Sequence, residues 1–195
     1  MNPVPPTTSR LRVMRNGQAV VRAWRVPKPT VLVDTRERNP LPMFENHPNW
    51  IGGERRVTLK TGDYSVEGME ALLTLERKTL TDAISSTIAN RERFIRACER
   101  LAGFQWKAIL IEATYEDLKC PYEEREEFAP GGVHPNAVCG TLDAIEAKFG
   151  IPILYTSRDR ALATERAASW LSKHFTYWWL EKNGHERFLV DTDRL

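Results

Sequence analysis

The sequence predicts an α/β domain in which a central mixed β-sheet is flanked by helices. Two observations predict it. Several apolar runs, such as Thr30-Val31-Leu32-Val33-Asp34 and Ala108-Ile109-Leu110-Ile111, are too short for helices but read as buried strands. Their order is strands first, then helix and strand in alternation. Composition agrees: 42% hydrophobic and 28% charged residues over 195 positions describe one globular domain with room for an extra segment.

Along the chain, residues 10–24 read as two short strands around Arg15-Asn16-Gly17, a hairpin pattern. Arg10, Arg12, Arg15, Arg22, Arg25 and Lys28 make residues 1–29 a basic arm without an acid. Such an arm suits phosphates or simple solubility alike. Pro27-Lys28-Pro29 is a linker, and the main domain is expected over 30–195. Strands are predicted at 30–34, 55–60, 71–78, 107–113 and 151–155, and helices at about 80–102, 135–149 and 159–182. Residues 38–53 and the acidic stretch 116–134, with Gly131-Gly132, read as loops. Pro135 opens one helix and Gly150 closes it.

No apolar run approaches the roughly 20 residues that cross a bilayer. The first residues lack the apolar core of a signal peptide, so a cytoplasmic, nucleoid-associated location is expected. Cys98, Cys120 and Cys139 are too scattered for a disulfide framework or a Cys-x-x-Cys site. Cys98 and Cys139 are expected to be buried thiols. The four histidines stand apart, which argues against a zinc site.

The acids carry the chemistry. Side chains alternate along a strand, so Glu76 and Lys78 share one face and Arg77 takes the other. Antiparallel pairing after the Thr61-Gly62-Asp63-Tyr64 turn sets Asp63 beside Glu76, and Asp34 closes the first strand. Two carboxylates about 4 Å apart repel by roughly 4 kcal/mol at an effective dielectric near 20. A hard cation such as Mg²⁺ or Mn²⁺ relieves that cost. It would activate water against a phosphodiester, with Lys78 orienting or deprotonating the water or steadying the phosphorus centre. Each piece alone has a plainer reading: Glu-Arg-Lys a solvated stretch, Gly-Asp a turn. Thr79-x-x-Asp82 has the spacing of a helix cap.

Together, Val33-Asp34-Thr35-Arg36-Glu37, Gly62-Asp63-Tyr64 and Glu76-Arg77-Lys78-Thr79-Leu80-Thr81-Asp82 resemble the XPF-type structure-specific nuclease domain over about residues 30–175. Its hallmark is Gly-Asp, a spacer, then Glu-Arg-Lys-x-x-x-Asp, and every hallmark residue is present in order. The resemblance implies a restriction-endonuclease-like fold and Mg²⁺- or Mn²⁺-dependent cleavage of branched or flapped DNA in repair, recombination or replication. It casts Asp34, Asp63 and Glu76 as metal ligands and Lys78 as the catalytic lysine. Arg36, Glu37, Arg77 and Asp82 are implied as supporting or phosphate-binding residues. The alternatives are a catalytically silent DNA-binding or scaffolding subunit, and a general or sequence-specific nuclease of the same broad fold. Silent relatives typically lose an acid or the lysine; here none is lost. The tandem helix-hairpin-helix modules common in the family have no counterpart after Tyr155, which leaves the basic arm to add grip.

On a continuous 80–102 helix, Ile84, Ile88, Ile95 and Cys98 share an apolar face, and Arg91 falls in its middle. Either the helix breaks near Asn90 or Arg91 reaches the site. The family often has an arginine here, which implies a phosphate or active-site role. Arg93, Arg96 and Arg100 are expected on the outer, solvated face. On the last helix, Trp170, Leu171, His174, Phe175, Trp178 and Trp179 mostly form one stripe, read as core packing or as a homodimer interface. His174 is expected in that core or interface rather than as a ligand.

Overall fold

A computed structural model describes residues 12–15, 18–19, 26–120, 133–184 and 189–191. Arg10, Arg22 and Arg25 of the basic arm and Gly131-Gly132 lie outside the described residues. In chain order the elements are β1 (Arg12–Arg15), β2 (Gln18–Ala19), β3 (Thr30–Asp34), α1 (Met43–Asn46), β4 (Gly53–Val57), β5 (Tyr64–Val66) and β6 (Leu73–Thr79). Then follow α2 (Leu80–Thr87), α3 (Arg91–Ala102), β7 (Trp106–Glu112), α4 (Tyr115–Lys119), α5 (Pro135–Phe149), β8 (Ile153–Tyr155), α6 (Arg160–Lys182) and β9 (Leu189–Asp191).

The main sheet runs β4-β3-β5-β6-β7-β8 and is mixed, as expected. β5 is antiparallel to both β3 and β6, while β3–β4, β6–β7 and β7–β8 are parallel. β7 sits inside the sheet with Ala108 to Ile111 fully buried, as its unbroken apolar run requires. The edge strand β4 carries Glu54, Arg55 and Arg56 exposed, and charge on an edge discourages pairing with another chain. A second, three-stranded sheet joins β1 to β2 and to β9. The predicted hairpin strands are there, Met14 opposite Ala19; the third strand was not legible.

Helices cover both faces. The α6 side buries Val31, Val33, Leu73, Leu75 and Leu110 beneath Ala163, Ala167, Ala168 and Leu171. Alanines at that spacing let the roughly 35 Å helix lie close to the strands. The other side packs α2, α3 and α5 through Ile84, Phe94, Cys98, Leu101, Leu142 and Ile145 against Ile109 and Ile111. Cys98 and Cys139 are buried in this layer.

The predicted 80–102 helix is two helices. The Asn90 side-chain amide donates to Ser85 Oγ at 2.9 Å, and its backbone N–H to Ser85 O at 2.9 Å. Local bonding of this kind competes with the helical ladder, so the chain breaks at residues 88–90. Two further helices replace expected loops: α1, anchored by buried Met43, and α4, which has a capping box of Thr114 and Asp117. At α5, Pro135 starts the helix and Gly150, at φ +59°, caps it, as the sequence indicated.

Candidate active site

The ends of β3 and β6 and the start of β5 meet at one end of the sheet's interior strands. The Asp34 amide donates to Asp63 O at 2.8 Å and the Asp63 amide to Leu75 O at 2.9 Å. Tyr64 pairs with Leu75, so the antiparallel register sets Asp63 next to Glu76. The turn before Asp63 depends on glycine: Gly62 has φ +81°, and a Cβ there would lie 2.1 Å from Thr74 Oγ1. That hydroxyl donates to Thr61 O at 3.0 Å and fastens the turn to β6. Gly62→Ala is therefore expected to cost about 2–4 kcal/mol from positive φ and overpacking together. Urea melts of parent and variant check this, and unchanged stability would contradict the turn geometry.

β6 divides its side chains as alternation demands. Glu76 and Lys78 face the α2–α3 side, with Lys78 Nζ 3.2 Å from Glu76 Oε1 and 4.7 Å from the centroid of the Phe94 ring. Arg77 faces the other way, into a nearly buried network with Glu112 and with Glu37 at 3.3 Å. The Arg77 guanidinium also donates to Asn39 O at 3.1 Å, and Arg160 of α6 binds the same carbonyl at 2.8 Å. The Arg77 amide donates to Asp63 Oδ2 at 2.7 Å. The side chain thus anchors the backbone group that orients Asp63, the supporting position expected for Arg77 and Glu37. Thr79 caps α2 by accepting the Asp82 amide at 3.2 Å and donating to Asp82 Oδ2 at 2.7 Å. The helix-cap reading of Asp82 therefore holds, and Asp82 also lines the cleft.

These residues border a cleft of about 500 Å³ between the strand ends and helices α2 and α3. Asp63 is held well above its ordinary 3.8, at about 7, first by burial and then by the neighbouring Glu76. Its ionisation is thus opposed in the fold. Because the folded value lies above the unfolded one, this contribution to stability is present at low pH and is lost as pH rises through about 7. Asp63→Asn removes the loss while keeping an acceptor for the Arg77 amide. In metal-free buffer at pH 8 the variant is expected to be about 2 kcal/mol more stable than the parent, with no such gain at pH 4. Urea titrations at both values check it; equal stability at pH 8 would contradict the raised pKa of Asp63.

Asp34 departs from the expectation. Its buried carboxylate accepts four hydrogen bonds: from the Arg36 amide (2.8 Å), Arg36 Nε (2.7 Å), an Arg36 Nη (2.9 Å) and the Leu59 amide (2.7 Å). The Arg36 hydrogen bonds hold it below the usual carboxylate range, against the opposing effect of burial. With its lone pairs so occupied it is a brace, not an open metal ligand. Among the described residues no three His, Cys, Asp or Glu side chains cluster as a ready metal cage. All three acids expected as ligands, Asp34, Asp63 and Glu76, line the cleft, and Asp34 does so with its oxygens taken by Arg36 and Leu59.

Arg91 is a second correction. The break at residues 88–90 turns it away from the site, and its guanidinium donates to Thr141 Oγ1 on α5 and to Thr87 O. Arg93 and Arg100 are exposed, as expected, and also line the cleft. Lys60, which the sequence did not single out, lines it too. On α6, Leu171 and Phe175 are buried, and Trp170, Trp178 and Trp179 pack half-buried against the core. His174 lies 4.1 Å from Trp170 and 6.2 Å, edge-on, from Trp106. It is half-buried beside these rings, and burial lowers its basicity.

Comparison with known proteins places this geometry. The family described as the ERCC4 domain matches residues 33–164. XPF from Aeropyrum pernix has the same fold, with a TM-score of 0.57 at 21% identity over 80% of this chain and 70% of its own. The same protein in a complex with DNA gives 0.54 at 21% identity, over 80% and 66%. A Methanocaldococcus jannaschii protein whose name describes an ATP-dependent RNA helicase is 28% identical over 134 residues, 68% of this chain. This chain spans only 14% of that relative's length.

Proposed function

The chain belongs to the ERCC4-domain family, and on that premise we propose a metal-dependent endonuclease that hydrolyses phosphodiester bonds in branched or flapped DNA. Repair, recombination or replication is the setting, in the cytoplasm at the nucleoid. Among the described residues no helix is long and apolar enough to cross a membrane. One observation carries the reading: Asp63, Glu76 and Lys78 converge on the floor of one cleft. A solved relative, XPF from Aeropyrum pernix, is known in complex with DNA.

Mg²⁺ or Mn²⁺ fits the two acids. Both present hard carboxylate oxygens, and Asp63 is driven to hold a proton by its buried position beside Glu76, a strain that a cation relieves. Asp63 and Glu76 would hold the ion, which would supply a more acidic water and positive charge toward the phosphate. Lys78, pinned between Glu76 and Phe94, donates hydrogen bonds to the charge that grows on the phosphate oxygens. The water oxygen bonds to phosphorus, one P–O bond of the strand breaks, and the departing oxygen takes a proton. Asp34 works through Arg36, whose exposed guanidinium it holds at the cleft wall. Arg77 and Glu37 fix the amide that orients Asp63. The half-buried tryptophans of α6 support a homodimer through that helix, which sedimentation of the parent and of Trp178→Ala tests.

Labelled flap, fork, four-way and plain duplex DNA incubated with the protein and Mg²⁺ test the function. Cleavage of the branched substrates ahead of plain duplex is expected. No cleavage of any substrate would overturn the enzyme reading, and equal cleavage of plain duplex would overturn the branch preference.

A further inference from the structure

Helix α3 presents Arg93, Ala97 and Arg100 to the cleft. Spacing of four and then three places them on one helical stripe. This is not the packing stripe, which consists of Phe94, Cys98 and Leu101. Three of the other cleft cations are engaged by acids: Arg36 by Asp34, Arg77 by Glu112 and Glu37, Lys78 by Glu76. The exposed Lys60 lines the cleft from off α3. Arg93 makes no ion pair or hydrogen bond among the described residues, and Arg100 makes one, to the Arg96 carbonyl. Two exposed cations on the wall of a cleft with acids on its floor match an extended polyanion. Its reacting unit meets the floor, and its neighbouring units meet the wall.

We propose that α3 is the rail for the DNA strand being cut, with Arg93 and Arg100 each binding a backbone phosphate and the small Ala97 letting the strand pass between them. Seven residues of helix span roughly 10 Å, which sets the separation of the two phosphates along the strand. Contacts of this kind set the strand's register and read no base. The inference rests on the cleft being a DNA-cutting site.

The test is anisotropy of fluorescent flap DNA in EDTA over a sodium chloride series. It compares the parent with Arg93→Gln/Arg100→Gln, Arg93→Lys/Arg100→Lys, Ala97→Glu and Arg96→Gln. Each lost phosphate contact reduces the salt dependence of log K by roughly 0.7–0.9. The double glutamine variant should therefore lose about 1.4–1.8 from the slope, and the double lysine variant should keep it, because charge alone is required. Ala97→Glu places a negative charge on the rail and should weaken binding about fivefold. Arg96, which lies off the cleft and pairs with Glu92, should be silent as glutamine. A parental slope in the double glutamine variant, or an equal loss in Arg96→Gln, overturns the rail and leaves the endonuclease reading standing. If the parent binds no DNA at low salt, the DNA reading falls, and the rail with it.

Discussion

Lys78→Met is expected to slow DNA cleavage by roughly 10²–10⁴-fold, the range for losing a positioned charge or proton donor at the reacting group. DNA affinity and fold should change little. Methionine keeps the length and volume of the lysine stem, so the contact with the Phe94 ring survives. What disappears is the ammonium 3.2 Å from Glu76 Oε1 and 4.7 Å from the ring centroid. Lys78 is only 11% exposed, so the loss falls on a group already held in place. Single-turnover rates at saturating DNA isolate the chemical step from binding. If the variant cuts as fast as the parent, Lys78 is structural and the proposed chemistry is wrong.

Asp34→Ala is expected to destabilise the protein by about 3–5 kcal/mol, since it strands the buried Leu59 amide and releases Arg36. In a chain of 195 residues that corresponds to roughly 10 °C or more in the melting midpoint. The sign with pH is fixed by the depressed carboxylate. Its contribution is full above the ordinary aspartate value and is lost as pH falls through the lower folded value. The gap between parent and variant should therefore narrow in strong acid. Thermal melts at pH 7 and in acid check both statements, and a variant as stable as the parent at pH 7 would restore Asp34 as an open ligand.

Much of the site was legible because its information is local. The two-residue period of a strand separated Glu76 and Lys78 from Arg77, and the structure places Arg77 in its own network with Glu112 and Glu37. The Gly62 turn and the Tyr64–Leu75 register follow from a glycine and two adjoining strands. What escaped depends on contacts between distant segments. The fourth donor to Asp34 is Leu59, 25 residues away. Phe94 reaches Lys78 from another element, and Arg160 reaches Asn39 across 121 residues. The role implied for Arg91 failed for a different reason. The helix breaks near Asn90, one of the two readings its sequence left open, where Asn90 bonds to Ser85 through both side chain and backbone. Arg91 turns to Thr141 and Thr87. Helix α4 could have been found, because Thr114 and Asp117 stand at capping-box spacing.

In the proposed chemistry, Asp63 and Glu76 would hold the divalent ion on which cleavage depends. The most direct test is the single-turnover cleavage rate of flap DNA measured against Mn²⁺ concentration for the parent and for Glu76→Gln. The parent should not cut in EDTA, and its rate should rise and saturate with Mn²⁺. The same curve for Glu76→Gln should be shifted to higher concentration and lowered by at least roughly a hundredfold. Cleavage by the parent in EDTA, or superimposable curves for parent and variant, would contradict it.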